Sequence, residues 1–170
     1  MEGTAKTKSL GDTTATVSRF ELRTEKARTL ARPDPGTIST GAPLREALAS
    51  MREHGGDAVL VQDGSRLVGI LTERDVLKRV FGGGVDEGRP VDEFMTATPH
   101  TLAADTSLLE AMRAMESGHY RNVPLVDEDG SVVGLLRQRD LLDYVAEAFP
   151  QEILNLPPRP HQLMEEPEGA

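Results

Sequence analysis

The chain has 170 residues, 38% hydrophobic and 28% charged, with no cysteine and no tryptophan. Without cysteine there is no disulfide, thiolate metal site or cysteine nucleophile, and no stretch reaches the roughly 20 apolar residues of a membrane span. The net charge of −9 repels phosphate backbones at long range, which argues against nucleic acid as the main partner but leaves room for a small phosphorylated ligand in a locally positive pocket.

Residues 1–33 carry seven Lys and Arg against four Asp and Glu, so the rest of the chain stands at −12. Weak periodicity predicts a flexible N-terminal segment over 1–35, although Ala15 to Arg23 partly alternates and would suit an edge strand. Nothing at the N-terminus resembles the apolar core of a secretory signal, so a cytoplasmic protein is expected.

Beyond this segment the chain repeats itself. Val68 to Val80 (VGILTERDVLKRV) matches Val133 to Val145 (VGLLRQRDLLDYV), an offset of 65. From Ala58 to Val80, 9 of 23 positions are identical at that offset. Upstream the offset falls to 64, with Thr37, Leu44, Glu46, Ala47 and Met51 recurring as Thr101, Leu108, Glu110, Ala111 and Met115. An insertion between the first helix of the repeat and the strand after it would explain the change, because loops absorb insertions most easily.

Each repeat begins with a short extended piece, at Thr37 and again at Thr101. A helix follows, with Leu108, Leu109, Met112 and Met115 at helical spacing in the second copy and Gly55 and Gly118 expected to close the two helices. Two short apolar runs joined by a polar turn then read as a β-hairpin, and a second helix ends the repeat. Asp127 to Gly130 reads as the hairpin turn and lacks the length and terminal Glu of a calcium loop. The order strand, helix, strand, strand, helix, taken twice, predicts an α+β chain. A repeat of about 60 residues buries too little surface to stand alone, so two copies are expected to pack as a pseudo-twofold pair. The expected domains are 36–84 and 94–149, joined by a glycine-rich flexible linker over 85–93, with a Pro-rich acidic tail over 150–170.

One motif carries a family resemblance. Gly69-Ile-Leu-Thr72-Glu-Arg-Asp75 recurs as Gly134-Leu-Leu-Arg137-Gln-Arg-Asp140. Phe94 to Leu102 (FMTATPHTL) and Tyr120 to Asp127 (YRNVPLVD) add two further features, found in the second copy only. In these respects residues 36–148 resemble tandem CBS domains, the pair called a Bateman module. The resemblance implies a non-enzymatic regulatory module whose clefts take AMP, ADP, ATP or an S-adenosylmethionine-type ligand, with no tightly bound cofactor. It also implies signalling to a regulated protein that the sequence does not name. The alternative it leaves is a ligand-free interaction and dimerisation module.

The resemblance also implies site residues. Asp75 would accept from ribose hydroxyls, and Thr72 would cap its helix and meet a phosphate, beside a helix N-terminus that favours anions. The same two residues also read as an ordinary helix cap. Thr37 and Thr101 stand where the family contacts the base. Tyr120, Arg121, Val123 and Pro124 form the start of the second hairpin, and Ile70, Leu71 and Val123 would sandwich an adenine. Arg74 and Arg139 are available counter-charges. Arg137 replaces a hydroxyl residue. It either clamps a polyphosphate or fills the cleft, paired with Asp140 or a neighbouring acid; the helix dipole favours the clamp. The ribose-phosphate end is thus kept by the first copy and the hairpin start by the second, so two unequal sites are expected. His54, His100, His119 and His161 show no metal-ligand spacing, and His119 to Arg121 reads as a loop lining the inter-domain cleft. A homodimer, twice the 18.4 kDa chain, is expected, with Met51, Met112 and Met115 in its apolar face.

Overall fold

A computed structural model describes residues 21–148. The first repeat contains β1 (Thr37–Ser39), α1 (Leu44–Glu53), β2 (Ala58–Asp63), β3 (Arg66–Thr72) and α2 (Glu73–Arg79). After a 3₁₀ turn at Val91–Glu93 come β4 (Thr96–Ala97), β5 (Leu102–Ala103), α3 (Leu108–Gly118), β6 (Asn122–Val126), β7 (Val132–Arg137) and α4 (Gln138–Ala148). Among the described residues no helix is long and apolar enough to cross a membrane. The Pro-rich tail over 150–170 and residues 15–20 of the expected edge strand lie outside the described residues. Residues 21–23, which ended that expected strand, are helical.

The strands form two sheets, ordered β1-β2-β3-β4 and β5-β6-β7. In each, a parallel pair is bridged by a helix and followed by an antiparallel hairpin, as the connection lengths require. Side chains alternate across β2. Val59 and Val61 join Leu44, Ala47, Met51 and Leu71 beneath α1, while Ala58 and Leu60 face the other way. That second face meets Leu135 of β7 in a cluster with Ile70, which joins the two repeats. The bridge between Arg66 and Ser131, which are counterparts in the two copies, marks the pseudo-twofold relation.

Strand register corrects the placement of the insertion. Ile38 pairs with Val61 and Leu102 with Leu125, so the offset of 64 persists through β2 and β6. Ala58 opposes Thr72 and Asn122 opposes Arg137, so the offset becomes 65 only in the hairpin turns. Asp63 and Arg66 pair across a tight turn in the first copy, whereas the second spans Asp127 to Ser131. Runs of Val and Leu match themselves at either offset, but a one-residue slip would turn every side chain to the wrong face. The structural counterpart of Asp57 is therefore Arg121, not Asn122.

The N-terminal segment is not free from residue 21 onward. Ala27 is fully buried in the second repeat's core, and its amide donates to the Thr106 carbonyl at 2.8 Å. Arg32 and Leu135 exchange two backbone hydrogen bonds of 3.0 Å. One repeat later the same contacts recur in the other sheet: Val91 is buried, its amide donates to the Ala42 carbonyl at 2.8 Å, and β4 pairs with β3. Each sheet thus takes an edge from the chain that precedes the other repeat, and Thr96–Ala97 belong to the first sheet, not the second. The linker is tethered too. Asp92 accepts from the Thr40 hydroxyl and from the Gly41 amide at 2.6 Å. The Thr40 bond above all, with burial opposing, holds this carboxyl below the usual carboxylate range.

Gly134 records the close approach of the N-terminal segment. A Cβ there would stand 2.6 Å from the Arg32 carbonyl oxygen, which is backbone and has no rotamer to yield. Gly134→Ala is expected to destabilise the fold by about 1–3 kcal/mol, the range for overpacking. At Gly69, the obstacle is the flexible Met95 side chain, and Gly69→Ala should cost less. Urea unfolding of both variants checks this; equal costs would contradict the docked segment.

Candidate functional site

A cleft of about 480 Å³ opens where the two repeats meet. The first repeat contributes Asp57, Ile70 and the run Thr72 to Asp75. Thr96 of β4 adds to the same side, and the second repeat brings Pro99, His100, His119 to Asn122, Arg137 to Arg139 and Leu142. Of the expected site residues, Thr72, Asp75, Tyr120, Arg121 and Arg137 therefore converge. The ribose-phosphate end of one copy and the hairpin start of the other lie in one cleft.

Thr72 and Asp75 form a capping box at the start of α2. Asp75 Oδ2 accepts from the Thr72 amide at 3.1 Å and from the Thr72 hydroxyl at 2.5 Å. The Thr72 hydroxyl in turn accepts from the Asp75 amide at 3.3 Å. Its single proton is committed to Asp75, so Thr72 positions the carboxylate and has no proton left for a phosphate. Among the described residues Asp75 Oδ1 has only Arg79 as a charged partner, at 3.7 Å, and retains capacity for a ligand hydroxyl. Arg79 is itself anchored, donating to the carbonyls of Phe94 and Met95 at 2.9 Å.

The opposite wall is aromatic. His100 and Tyr120 stack with centroids 5.2 Å apart and planes 12° from parallel. The backbone is shaped for this. His119, not Gly118, closes α3 in the left-handed region, at φ 54°, a conformation costly for a residue with a Cβ. Gly118 instead makes room for the aromatic wall, since a Cβ there would collide with the Tyr120 ring.

All three nitrogens of the Arg137 guanidinium donate to carboxylates. Its Nε donates to Asp140 Oδ2 at 2.7 Å, a second nitrogen donates to Asp140 Oδ1, and a third donates to Asp57 Oδ2 at 2.5 Å. The residue is 9% exposed. Asp140 above all, with burial opposing and Asp57 adding, holds its proton more tightly than usual. These internal pairs favour the filled cleft over the phosphate clamp. Free cationic charge comes instead from Arg74 and Arg121, exposed and without a carboxylate partner among the described residues, and from Arg139, 3.8 Å from Asp143. Arg74 and Arg121 thus supply unpaired positive charge to the cleft of an acidic protein.

The remaining expectations fall elsewhere. Thr37 and Thr101 do not line this cleft; Pro99 and His100, just before Thr101, do. Val123 and Pro124 are buried, and so is Leu71, so of the three apolar residues expected to hold a base only Ile70 reaches the cleft. Asp140 is taken by Arg137. Asp57, Thr96, Asn122 and Gln138 were not expected.

The sequence profile of the CBS domain family matches residues 27–82 and 91–147. The chain belongs to the CBS domain family. The first match starts at Ala27, where the packed N-terminal segment enters the second repeat's core. This CBS pair is 30% identical over 105 residues to the 17.7 kDa protein in the bps2 3′ region of Acidianus ambivalens, covering 61% of this chain and 63% of that protein. The chain thus spans less than two-thirds of that relative. The fold matches the AMP complex of CBSX2, with TM-score 0.63 and 20% identity over 72% of this chain and 97% of that one. The ATP complex of the cytosolic domain of the Mg²⁺ channel MgtE gives TM-score 0.59 and 26% identity, over 75% of this chain and 53% of that one.

Proposed function

We propose that this CBS pair is a regulatory module that senses an adenine nucleotide of the AMP, ADP or ATP type in the inter-repeat cleft and performs no chemistry on it. One observation carries the reading: Asp75 of the first repeat, with an unfilled carboxylate oxygen, faces the same cleft as the Tyr120–His100 stack and Arg121 of the second. A ribose suits the carboxylate, a base suits an aromatic surface, and a phosphate suits Arg74 and Arg121. The nucleotides bound by CBSX2 and by the MgtE domain support the ligand class. A cysteine-free sequence suits a reducing compartment, and we place the module in the cytoplasm, acting on a separate regulated protein. A second reading, a ligand-free interaction platform, is favoured by Arg137, which fills part of the cleft with internal ion pairs.

A thermal-shift screen with AMP, ADP, ATP and S-adenosylmethionine separates the two. A ligand at a hundred times its Kd should add about 2.7 kcal/mol of stability. An unchanged Tm with every compound would leave the platform reading.

The module is further proposed to be a homodimer. The expected methionine face is not available, because Met51 and Met115 are buried in the two cores. The exposed large apolar residues include Leu77 on α2 and Leu142 on α4, which are counterparts in the two copies, and Phe81 just after α2, at 79% exposure. Light scattering should give twice the chain mass, and Phe81→Glu should give one; a parent monomer at micromolar concentration would contradict the dimer.

A further inference from the structure

We infer that the ligand position belonging to the second repeat is closed by the chain's own Arg137, so that the module offers one ligand site per chain. The inference takes the nature of the ligand from the reading above, but the closure stands on geometry alone. Strand register makes Arg137 the counterpart of Thr72, Asp140 that of Asp75, and Asp57 that of Arg121. The pseudo-twofold relation therefore presents the same three positions twice. In the first set Thr72 caps the helix, Asp75 keeps an oxygen without a hydrogen bond, and Arg121 is exposed and without a carboxylate partner among the described residues. In the second set both oxygens of Asp140 accept from Arg137, and the same guanidinium reaches Asp57 in the other repeat.

The guanidinium thus stands where a ligand would have to bring its own donors. Both Asp140 oxygens already carry a charge-assisted bond, so neither is open as Asp75 Oδ1 is, and Asp57 puts negative charge where Arg121 puts positive charge in the open set. A nucleotide entering the second position would have to displace a bidentate, charge-assisted pair that is mostly shielded from water. Of the two cations of the open set, Arg74 and Arg121, the second position keeps a counterpart only of Arg74, namely Arg139, 3.8 Å from Asp143. The closure also ties the repeats together, because its two carboxylates come from different copies.

The first readout needs no ligand. In an arginine-labelled chain, the Arg137 Nε–H, identified by its loss in Arg137→Lys, should persist in mildly alkaline buffer where exposed arginines such as Arg139 exchange away. It should not move when ATP is added. The second readout is equilibrium dialysis with ATP. The parent should retain one nucleotide per chain, and Arg137→Thr, which frees Asp140, should retain two. A fast-exchanging Arg137 Nε–H, two nucleotides on the parent, or a count still at one in a folded Arg137→Thr would overturn the closure. A protected Nε–H with no ATP retained by either protein would uphold the closure and sink the nucleotide reading instead.

Discussion

Leu60→Ala should destabilise the protein by about 2–5 kcal/mol, the range for emptying a leucine site in a tight core. Leu60 is fully buried in the cluster it forms with Ala58, Ile70 and Leu135. That cluster belongs to neither repeat's own core; it is the contact between them. The loss is therefore expected to act on the pairing as well as on the strand. A repeat of this size is marginal alone, so the variant should unfold at lower urea and with a shallower slope, as the halves begin to open separately. Leu44→Ala, beneath α1 in the first repeat's core, should cost a similar amount with the slope unchanged. Urea unfolding followed by far-ultraviolet circular dichroism measures both. Identical slopes in the two variants would contradict the view that this cluster joins the repeats.

Asp75→Ala should weaken an adenine nucleotide by the worth of a hydrogen bond to a charged group, about 1.5–3 kcal/mol, or roughly 10- to 150-fold in Kd. The same carboxylate closes the capping box of α2, so the variant also loses helix stability, of order 1 kcal/mol for a lost cap. Asp75→Asn separates the two effects. The amide oxygen can still accept from the Thr72 amide, but the charge that would receive the ribose hydroxyls is gone. Calorimetry well below the Tm of each variant should find both weakened and Asp75→Asn the more stable. Parent-like affinity in either variant would remove Asp75 from the site.

The element order was legible because it rests on strong local signals. Helical spacing at Leu108, Met112 and Met115, the Thr72–Asp75 cap and the polar hairpin turns all survive in the fold. Register was less legible. Leu60 and Val61 match Leu125 and Val126 as residues, yet they stand opposite different partners, because apolar runs of similar side chains carry no phase. That slip hid the relation of Asp57 to Arg121. The exchange of edge segments was hidden for another reason. Ala31 and Arg32 are unremarkable in composition, and only the strand they lie against reveals their role. The site divides the same way. Thr72, Asp75 and Tyr120 lie in recognisable motifs, whereas His100 reaches Tyr120 from the far side of β5 and α3, with no spacing rule to connect them. Arg137 had two readings, and the choice between them required the position of Asp57, which only the pairing of the repeats supplies.

The most direct measurement of the central claim is an amide chemical-shift titration of the isotope-labelled chain with ATP. Saturable shifts are predicted at Thr72 to Asp75, at His100 and at His119 to Asn122, with little change in the core of either repeat. No shift at saturating ATP, or shifts confined to the outer faces of α2 and α4, would contradict a nucleotide site in this cleft.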